Sequence, residues 1–355
     1  MITQDFAPAR GGIQTYSVQL STHLRALGHE VLVVAPGQAT APIEGVQRIP
    51  IRDPIFLGLF LLWKLPRILK QFTPDLILHM QWMVSLASII HCSQKQITLV
   101  HGRELVKYPL FQPVMRWALN RQAMLIANSH AVKTLTSRYT SADVPIYVVH
   151  PGVDSGRFTP QNKDEIRLSH GIPWNATVIL NITRQVVRKN TMSLLRAFNA
   201  IASQNQDLLL IIGGTGPASP QIQDAIRQSP YKDRIRYLGY VSEDQLVEWY
   251  NVADVFCMPV LDQEGDLEGF GIVFLEAAAC GVPSIATKAG GIPDAVLDGE
   301  TGILVVPSSL IQLEVALQRI CGDHSYRKML GQKALERART NFSWNQVAQR
   351  IEALF

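Results

Sequence analysis

The 355-residue sequence has few cysteines and few charges, and both shortages narrow the classes of protein it can belong to. Its four cysteines are scattered, without a C-x-x-C pair or metal-site spacing, so we expect buried thiols in a reducing compartment. Charged residues make up 17% of the chain and the net charge is +4, which is too weakly basic to indicate nucleic-acid binding. A hydrophobic fraction of 47% is that of a globular protein.

Long hydrophobic runs are also missing. The most apolar segment, residues 54–63 (PIFLGLFLLW), is about half as long as a membrane span, and the N-terminus does not show the pattern of a secretory signal. Lys64, Arg67 and Lys70 follow that segment. Two interpretations stay open: an interfacial patch for a lipid-linked acceptor, or a helix packed within its domain. We expect a cytoplasmic protein, and under the first interpretation one with peripheral contact to the inner face of the cell membrane.

Several catalytic motifs are absent as well. The sequence has no G-x-S-x-G elbow, no Walker A loop and no zinc motif. It also has no Asp-x-Asp pair that could hold a divalent cation on a sugar nucleotide. We therefore expect no metal and no cofactor.

Short apolar runs alternate with helical patterns along the whole chain. The runs are residues 31–35, 76–79, 97–100, 124–127 and 146–149 in the first half, and 178–182, 208–212, 235–238, 255–258, 284–286 and 303–306 in the second. Continuous apolar runs are typical of parallel strands buried on both faces. Strands that alternate with helices imply right-handed crossovers in an open sheet. The pattern predicts an α/β fold with two doubly wound, Rossmann-like domains.

The pattern restarts after a polar segment with Pro and Gly, which places the domain boundary near residue 154. We predict an N-terminal domain over residues 1–154, a C-terminal domain over residues 155–340, and a C-terminal helix over residues 341–355 that could pack back on the N-terminal domain. Only four residues precede the first loop, residues 5–12, so we expect the first strand to be truncated.

Two carboxylates stand eight residues apart in the segment EGFGIVFLE, from Glu268 to Glu276. A turn bracketed by Gly269 and Gly271 precedes an apolar helix pattern that Gly281 can end. A carboxylate before a helix start and a second one inside the helix suit a ligand with hydroxyls and phosphates, because the free amides of the first turn bind anions. A glycosidase pair is not indicated, since one carboxylate would lie in a loop and the other two helical turns further on.

A basic loop follows the first strand of the C-terminal domain. It is flanked by Arg184 and Lys189, and a forked guanidinium with a point-charge ammonium suits a diphosphate. A solvated basic loop is the alternative, and we expect Arg188 to face solvent. Gly214 and Gly216 end the next strand, where a turn that admits a base or ribose and a plain turn fit about equally well.

The N-terminal domain offers two further candidates. Gly11 and Gly12 lie in the first strand-to-helix loop, where paired glycines let a phosphate or sugar approach a helix N-terminus; a tight turn is the alternative. His101 follows the strand at 97–100, at the edge where open α/β sheets bind ligands, although a structural histidine would also fit.

Taken in their order along the chain, the motifs resemble those of the retaining glycosyltransferases of family 4, which have the GT-B architecture of two Rossmann-like domains facing a central cleft. The resemblance covers nearly the whole chain, and its most specific part is the E-x7-E element from Glu268 to Glu276. The supporting matches are Gly11-Gly12, His101-Gly102, the pair of Arg184 and Lys189, and Gly214 to Pro217. Asn190 and Asp294 depart from the family pattern, which has Gly and Glu there.

The resemblance implies a hexosyltransferase with a role for each residue, in which the donor is a nucleotide-diphosphate sugar held mainly by the C-terminal domain. Glu276 would hold the ribose, Glu268 the donor sugar, and Arg184 and Lys189 the diphosphate, while His101 would lie near the reacting carbon. The remaining donor contacts would be backbone groups of Gly11, Gly12, Gly214, Gly216, Gly269, Phe270 and Gly271. The catalytic set would be His101, Glu268, Arg184 and Lys189.

The residue patterns at 101–104, 262–266 and 271–276 resemble the branch that contains bacterial phosphatidylinositol mannosyltransferases. This resemblance implies GDP-mannose as donor, with a UDP-sugar as the alternative. It also implies a glycan or lipid-linked acceptor, a role in cell-envelope glycan biosynthesis, and retention through same-face attack without a metal. A catalytically silent sugar-nucleotide binder and an NAD-dependent dehydrogenase are the alternatives in other functional classes.

Overall fold

The computed structural model describes residues 1–7, 11–37, 43–51, 54–263 and 265–355. Residues 8–10 of the first loop and Glu264 of the acidic insertion at 262–266 therefore lie outside the described residues. The chain divides into two compact units. Met1–Gly152 and Trp344–Phe355 form the N-terminal unit, and Val153–Ser343 forms the C-terminal unit.

The N-terminal unit contains parallel strands. They are β1 (Val33–Pro36), β2 (Val46–Ile49), β3 (Leu76–His79), β4 (Lys95–Val100), β5 (Met124–Ala127) and β6 (Ile146–Val148). β1 pairs with β2, and β3 to β6 pair side by side in sequence order. Ile2 joins the two groups, because it bridges Val34 on one side and His79 on the other. The first strand is thus represented by a single bridging residue at the centre of the sheet.

Helices cover both faces of this sheet. They are α1 (Gly12–Ala26), α2 (Pro54–Gln71), α3 (Trp82–His91), α4 (Arg103–Val106), α5 (Gln112–Leu119) and α6 (His130–Ser137). The strand order runs from β2 to β6 across the sheet, and α2, α3, α5 and α6 each connect strands in that one lateral direction. Because such crossovers are right-handed, these four helices lie on one face, and α1 lies on the other.

The apolar segment at 54–63 lies in α2 and contributes mainly to the core. Leu57, Leu61, Leu65 and Ile68 are buried on helical spacing against β3 and α3, as the packed-helix interpretation predicts. Trp63 points outward and is 59% exposed. Across the described ranges, every helix falls short of the length and hydropathy that crossing a membrane requires.

The C-terminal unit has a six-stranded parallel sheet in the order β12-β11-β10-β7-β8-β9. Its strands are β7 (Thr177–Ile182), β8 (Leu208–Gly213), β9 (Ile235–Gly239), β10 (Val255–Met258), β11 (Ser284–Thr287) and β12 (Gly302–Val305). Its helices are α7 (Lys163–Ser169), α8 (Thr191–Ala202), α9 (Ser219–Gln228), α10 (Glu243–Val252), α11 (Ile272–Ala279), α12 (Ile292–Ala295), α13 (Leu310–Gly322) and α14 (His324–Asn341). Each face of the sheet packs its own apolar cluster.

The final helix, α15 (Trp344–Glu352), packs on α1 within the N-terminal unit. Trp344 and Val347 are buried beside Tyr16 and Leu20, and the Trp344 and Tyr16 rings meet edge to face at 5.1 Å. Every strand predicted from an apolar run is present within two residues of its predicted ends, so the predicted α/β fold with doubly wound sheets is confirmed.

Candidate functional site

The main candidate site lies at the carboxyl ends of the central strands of the C-terminal unit. β7 is the first strand of its sheet, with β8 on one side and β10 on the other. The chain order therefore reverses at β7, and open α/β sheets bind ligands at the crevice that such a reversal creates. The loop that follows β7, residues 183–190, meets there with the described parts of the loop that follows β10, residues 259–263 and 265–271.

Glu268 receives hydrogen bonds from two cations of the loop after β7. Its Oε2 accepts from Lys189 Nζ at 2.6 Å and from Arg188 Nη1. Arg188 Nε also lies 3.2 Å from Asp266 Oδ2, and both cations are more than 90% buried. The expectation that Arg188 faces solvent is wrong, because two carboxylates of the loop after β10 draw its guanidinium inward.

This cluster fixes the charge of Glu268. Burial alone would raise the pKa of its carboxyl, but Lys189 and Arg188 outweigh burial and lower it to about 2. Burial lowers the pKa of Lys189, and Arg188 and Arg184 add to that lowering, while Glu268 opposes it. Glu268 is therefore a carboxylate at neutral pH, able to accept hydrogen bonds and unable to donate a proton.

Glu276 has the opposite environment on α11. Its Oε2 accepts a hydrogen bond from the Tyr250 hydroxyl at 2.9 Å. Burial raises the pKa of Glu276 to about 7, although the Tyr250 hydrogen bond works against that rise. Tyr250 was not predicted from the sequence, because nothing in the pattern of α10 links it to a residue 26 positions later. The two carboxylates of the E-x7-E element thus differ in ionisation.

Arg184 lies in the loop that follows β7 and is exposed to solvent. It lies near enough to Lys189 to affect that residue's pKa. The structure therefore groups Arg184, Lys189 and Glu268 at one edge of the sheet. Their predicted contacts with the diphosphate and the sugar stay predictions.

A buried polar network holds the loop after β7 in place. The Asn181 amide donates to Cys257 O at 2.7 Å, which ties β7 to β10. The Gln185 amide donates to Gly213 O at 2.7 Å, and the Thr191 hydroxyl donates to Gln185 Oε1 at 2.7 Å. The sequence analysis did not identify these residues; the available signal was a single Asn inside the apolar run at 178–182.

Gly214 and Gly216 lie where two loops touch. A Cβ on Gly214 would come within 1.9 Å of Thr183 O, and a Cβ on Gly216 within 2.2 Å of Gln185 O. The backbone of Gly214 also has φ of +95°, which side chains rarely adopt. Close packing against the loop after β7 is thus sufficient to require both glycines, and their contact with the donor stays a prediction.

The turn that leads into α11 offers backbone groups. Phe270 is buried, with its ring 6.0 Å from that of Phe342, so only its main chain can serve a ligand. Gly269 lies beside it, and Gly271 is the residue that precedes the first turn of α11. The carbonyl of Glu268 accepts from Gly291 N at 2.9 Å, which anchors this turn from the loop after β11.

The N-terminal unit presents its own candidates. Gly11 is the N-cap of α1 and Gly12 its first residue, at the carboxyl end of the central bridge formed by Ile2. His101 is buried at the end of β4, and its Nε2–H donates to Met80 O at 2.9 Å. This bond fixes the tautomer with Nδ1 as an acceptor. Burial lowers the pKa of His101, with Glu104 and Asp5 opposing, so the ring is neutral at physiological pH.

Comparison with known families and proteins agrees with this geometry. The model described as Glycosyltransferase Family 4 matches residues 10–157, and the model described as Glycosyl transferases group 1 matches residues 162–337. The chain is 29% identical over 383 residues to the GDP-mannose-dependent alpha-(1-6)-phosphatidylinositol monomannoside mannosyltransferase of Mycolicibacterium smegmatis, covering 100% of this chain and 97% of that protein. It is 33% identical over 241 residues to the D-inositol 3-phosphate glycosyltransferase of Actinosynnema mirum, covering 65% of this chain and 56% of that protein.

Solved structures show the same fold. Sucrose-phosphate synthase from Thermosynechococcus elongatus is similar with a TM-score of 0.86 and 22% identity, over 99% of this chain and 97% of that one. Anabaena HepE in complex with UDP and glucose is similar with a TM-score of 0.79 and 20% identity, over 99% and 98%. The dehydrogenase and silent-binder alternatives find no support among these matches. With both halves of the sequence matched and both parallel sheets in place, the chain belongs to the family 4 glycosyltransferases of the GT-B fold.

Proposed function

We propose that this glycosyltransferase transfers mannose, with retention of anomeric configuration, from GDP-mannose to a hydroxyl of a glycan or lipid-linked acceptor. The observation that carries the proposal is the grouping of Lys189, Glu268 and Arg184 at the switch point of the C-terminal sheet, with Glu276 on the adjoining helix. This set supplies cations for a diphosphate and carboxylates for sugar hydroxyls. The GDP-mannose-dependent relative, aligned over 97% of its length, supports the choice of donor.

The leaving group determines what the cations do. When the bond between the anomeric carbon and the phosphate oxygen breaks, negative charge develops on the diphosphate. Arg184 and Lys189 stabilise that charge where it forms, and one such contact is typically worth roughly 3–4 kcal/mol. These side chains take the part that a divalent cation plays in metal-dependent transferases, so we propose a metal-independent reaction.

The destination of the acceptor's proton favours same-face attack. The new bond forms between the acceptor oxygen and the anomeric carbon, and the acceptor's proton passes to an oxygen of the departing phosphate. Glu268, with a pKa of about 2, cannot act as a general acid at neutral pH. It serves as a hydrogen-bond acceptor for donor-sugar hydroxyls, and Glu276 serves the ribose. His101, whose Nδ1 is an acceptor, receives a hydrogen bond from a sugar hydroxyl near the reacting carbon.

The names of the relatives guide the choice of acceptor. The mycobacterial relative acts on a phosphatidylinositol mannoside and the actinobacterial one on an inositol phosphate, as their names state. A cyclitol or glycan hydroxyl, soluble or attached to a lipid, is the acceptor class we propose. With a lipid-linked acceptor the protein would work as a peripheral protein at the inner face of the cell membrane.

A thermal-shift screen of nucleotide sugars tests the donor. GDP-mannose should raise the melting temperature more than UDP-glucose, and Lys189→Ala should abolish the shift. The matched control is Lys232→Ala, at an exposed position, which should keep the shift in melting temperature. A shift with UDP-sugars alone would overturn the choice of base.

Turnover tests the chemistry. Lys189→Ala and Glu268→Ala should each reduce kcat by two orders of magnitude or more, as loss of a transition-state contact does, while both variants melt cooperatively. The anomeric proton signal of the product should match that of the donor, and EDTA should leave the rate unchanged. An inverted product, or near-normal activity in either variant, would refute the assigned roles.

A further inference from the structure

The outward face of α5 carries an exposed apolar stripe. The 3₁₀ turn Pro109–Phe111 leads into α5, and Leu110, Val114 and Trp117 follow one another at intervals of four and three residues. Leu110 is 91% exposed, Val114 43% and Trp117 38%, and Phe111 beside them is 42% exposed. The inward face of the helix buries other residues, Met115, Ala118 and Leu119. The residues of the stripe therefore do not contribute to the hydrophobic core.

Cations frame this stripe. The Arg121 guanidinium lies 4.3 Å from the centroid of the Trp117 ring, and Lys107 Nζ lies 4.7 Å from that of Tyr108. Between Glu104 and Asp143 the sequence has no acidic residue at all. The cations of that stretch are Lys107, Arg116, Arg121, Lys133 and Arg138.

The neighbouring helices of the same layer continue the pattern. α3 packs against both α2 and α5, so their outward faces adjoin. Ile90 on α3 is 59% exposed, and Trp63 on α2 has the Arg67 guanidinium 4.3 Å from its ring. Aromatic rings paired with basic side chains whose stems lie along apolar surface are typical of the boundary between lipid tails and headgroups.

We propose that the stripe Leu110, Phe111, Val114 and Trp117 docks the protein on an anionic lipid bilayer, with Lys107 and Arg121 at the headgroups. The stripe would enter the boundary between headgroups and acyl chains, as interfacial helices do. The positive charge around the stripe favours an anionic bilayer over a second copy of the chain. In a two-fold dimer the same patch would meet itself and set cation against cation, whereas a bilayer with acidic headgroups complements it.

Vesicle co-sedimentation tests whether the apolar residues of the stripe bind lipid. The full chain should sediment with vesicles of equal parts phosphatidylglycerol and phosphatidylcholine, and the pair Leu110→Glu with Trp117→Glu should return it to the supernatant. The matched control is Leu168→Glu with Trp174→Glu in the C-terminal unit, because those side chains are 82% and 86% exposed. The control should bind as the wild type does. Equal loss in both pairs would overturn the proposal, and so would a wild type that stays in the supernatant.

A pair of charge reversals tests the cations beside the stripe. Lys107→Glu with Arg121→Glu should weaken binding to the same vesicles by about 25-fold or more, since each headgroup cation typically contributes about fivefold. Lys328→Glu with Lys333→Glu changes the net charge equally at exposed positions of the C-terminal unit and should leave binding within about twofold. Equal effects of the two pairs, or equal binding of the wild type to pure phosphatidylcholine, would overturn the anionic specificity.

Light scattering separates the bilayer from a second copy of the chain. The wild type should be of one mass at all concentrations tested, and the Leu110→Glu with Trp117→Glu variant should have the same mass. A wild-type dimer that this variant dissociates would assign the stripe to self-association and overturn the proposal. Binding to vesicles requires neither donor nor turnover, so this outcome leaves the proposed transferase reaction untouched.

Discussion

The ionisation of Glu276 should control how tightly the protein binds its donor near neutral pH. Burial raises the pKa of this carboxyl from 4.5 to about 7, Glu243 adds to the rise, and the hydrogen bond from Tyr250 and the charge of Arg157 oppose it. That rise corresponds to about 3 kcal/mol by which the buried position disfavours the ionised form of the carboxyl. A ribose with two hydroxyls offers the hydrogen bonds that would offset this cost.

The sign of the pH dependence follows from which form binds. The ionised carboxyl accepts from both ribose hydroxyls, whereas the protonated form has to turn its own O–H away. Donor binding should therefore take up the ionised form and release a proton. With a pKa of about 7 in the free protein, affinity should be about tenfold weaker at about pH 6 than at about pH 8.

Titration calorimetry with GDP-mannose gives the measurement, because its diphosphate is a diester without a group that titrates in this range. Experiments near pH 7 in buffers of different ionisation enthalpy should show release of about half a proton. Glu276→Gln should bind more weakly and without pH dependence. Tyr250→Phe should move the midpoint to higher pH, since it removes the hydrogen bond that lowers the pKa. A wild-type affinity that is flat over this range, or an equal slope in Glu276→Gln, would refute the reasoning.

Three further predictions concern the protein without ligand. The pKa of Glu276 is higher in the folded protein than in the unfolded chain, so ionisation of this carboxyl destabilises the fold; the penalty is absent below about pH 4.5 and complete above about pH 7. In urea unfolding, the wild type should therefore lose stability as the pH rises through this range, and Glu276→Gln should not show that loss. Arg188→Ala should raise the pKa of Glu268 above its value of about 2, as carboxyl ¹³C shifts would report, and an unchanged value would show that Lys189 alone holds it down. Gly214→Ala should cost more than about 2 kcal/mol of unfolding free energy through backbone overlap, whereas Gly322→Ala, which has open space, should be nearly neutral.

The strands were predictable because parallel strands buried on both faces leave continuous apolar runs. β2 was the exception: in its sequence VQRI two polar residues separate the two apolar ones, and its burial is only partial, so no apolar run marks it. Helix ends follow local signals in the sequence. A capping box forms between Ser242 and Gln245 at the start of α10, and Ser129 caps α6, accepting from Val132 N at 3.1 Å.

Side-chain partners across the sheet were beyond sequence reasoning, since they depend on which loops the topology brings together. Arg188 looked like a solvent-facing charge because short basic clusters usually are; only the loop after β10, about 80 residues later, supplies the carboxylates that bury it. The same limit applies to the apolar surface. Residues 54–63 are the most apolar segment, yet their helix faces the core, and the less apolar α5 carries the exposed stripe.

In the proposed reaction, the adjacent cations Arg188 and Lys189 would have different tasks when a diphosphate binds. The Lys189 ammonium is hydrogen-bonded to Glu268, so a phosphate oxygen would have to compete with that carboxylate for it. If Lys189 were the sole partner, its transfer to the phosphate would leave Glu268 buried and unpaired, at a cost of several kcal/mol. Arg188 removes that cost, because it keeps its own bond to Glu268. In the proposed reaction, Lys189 would therefore turn to the leaving group, while Glu268 would stay ionised and present its freed lone pair to a sugar hydroxyl.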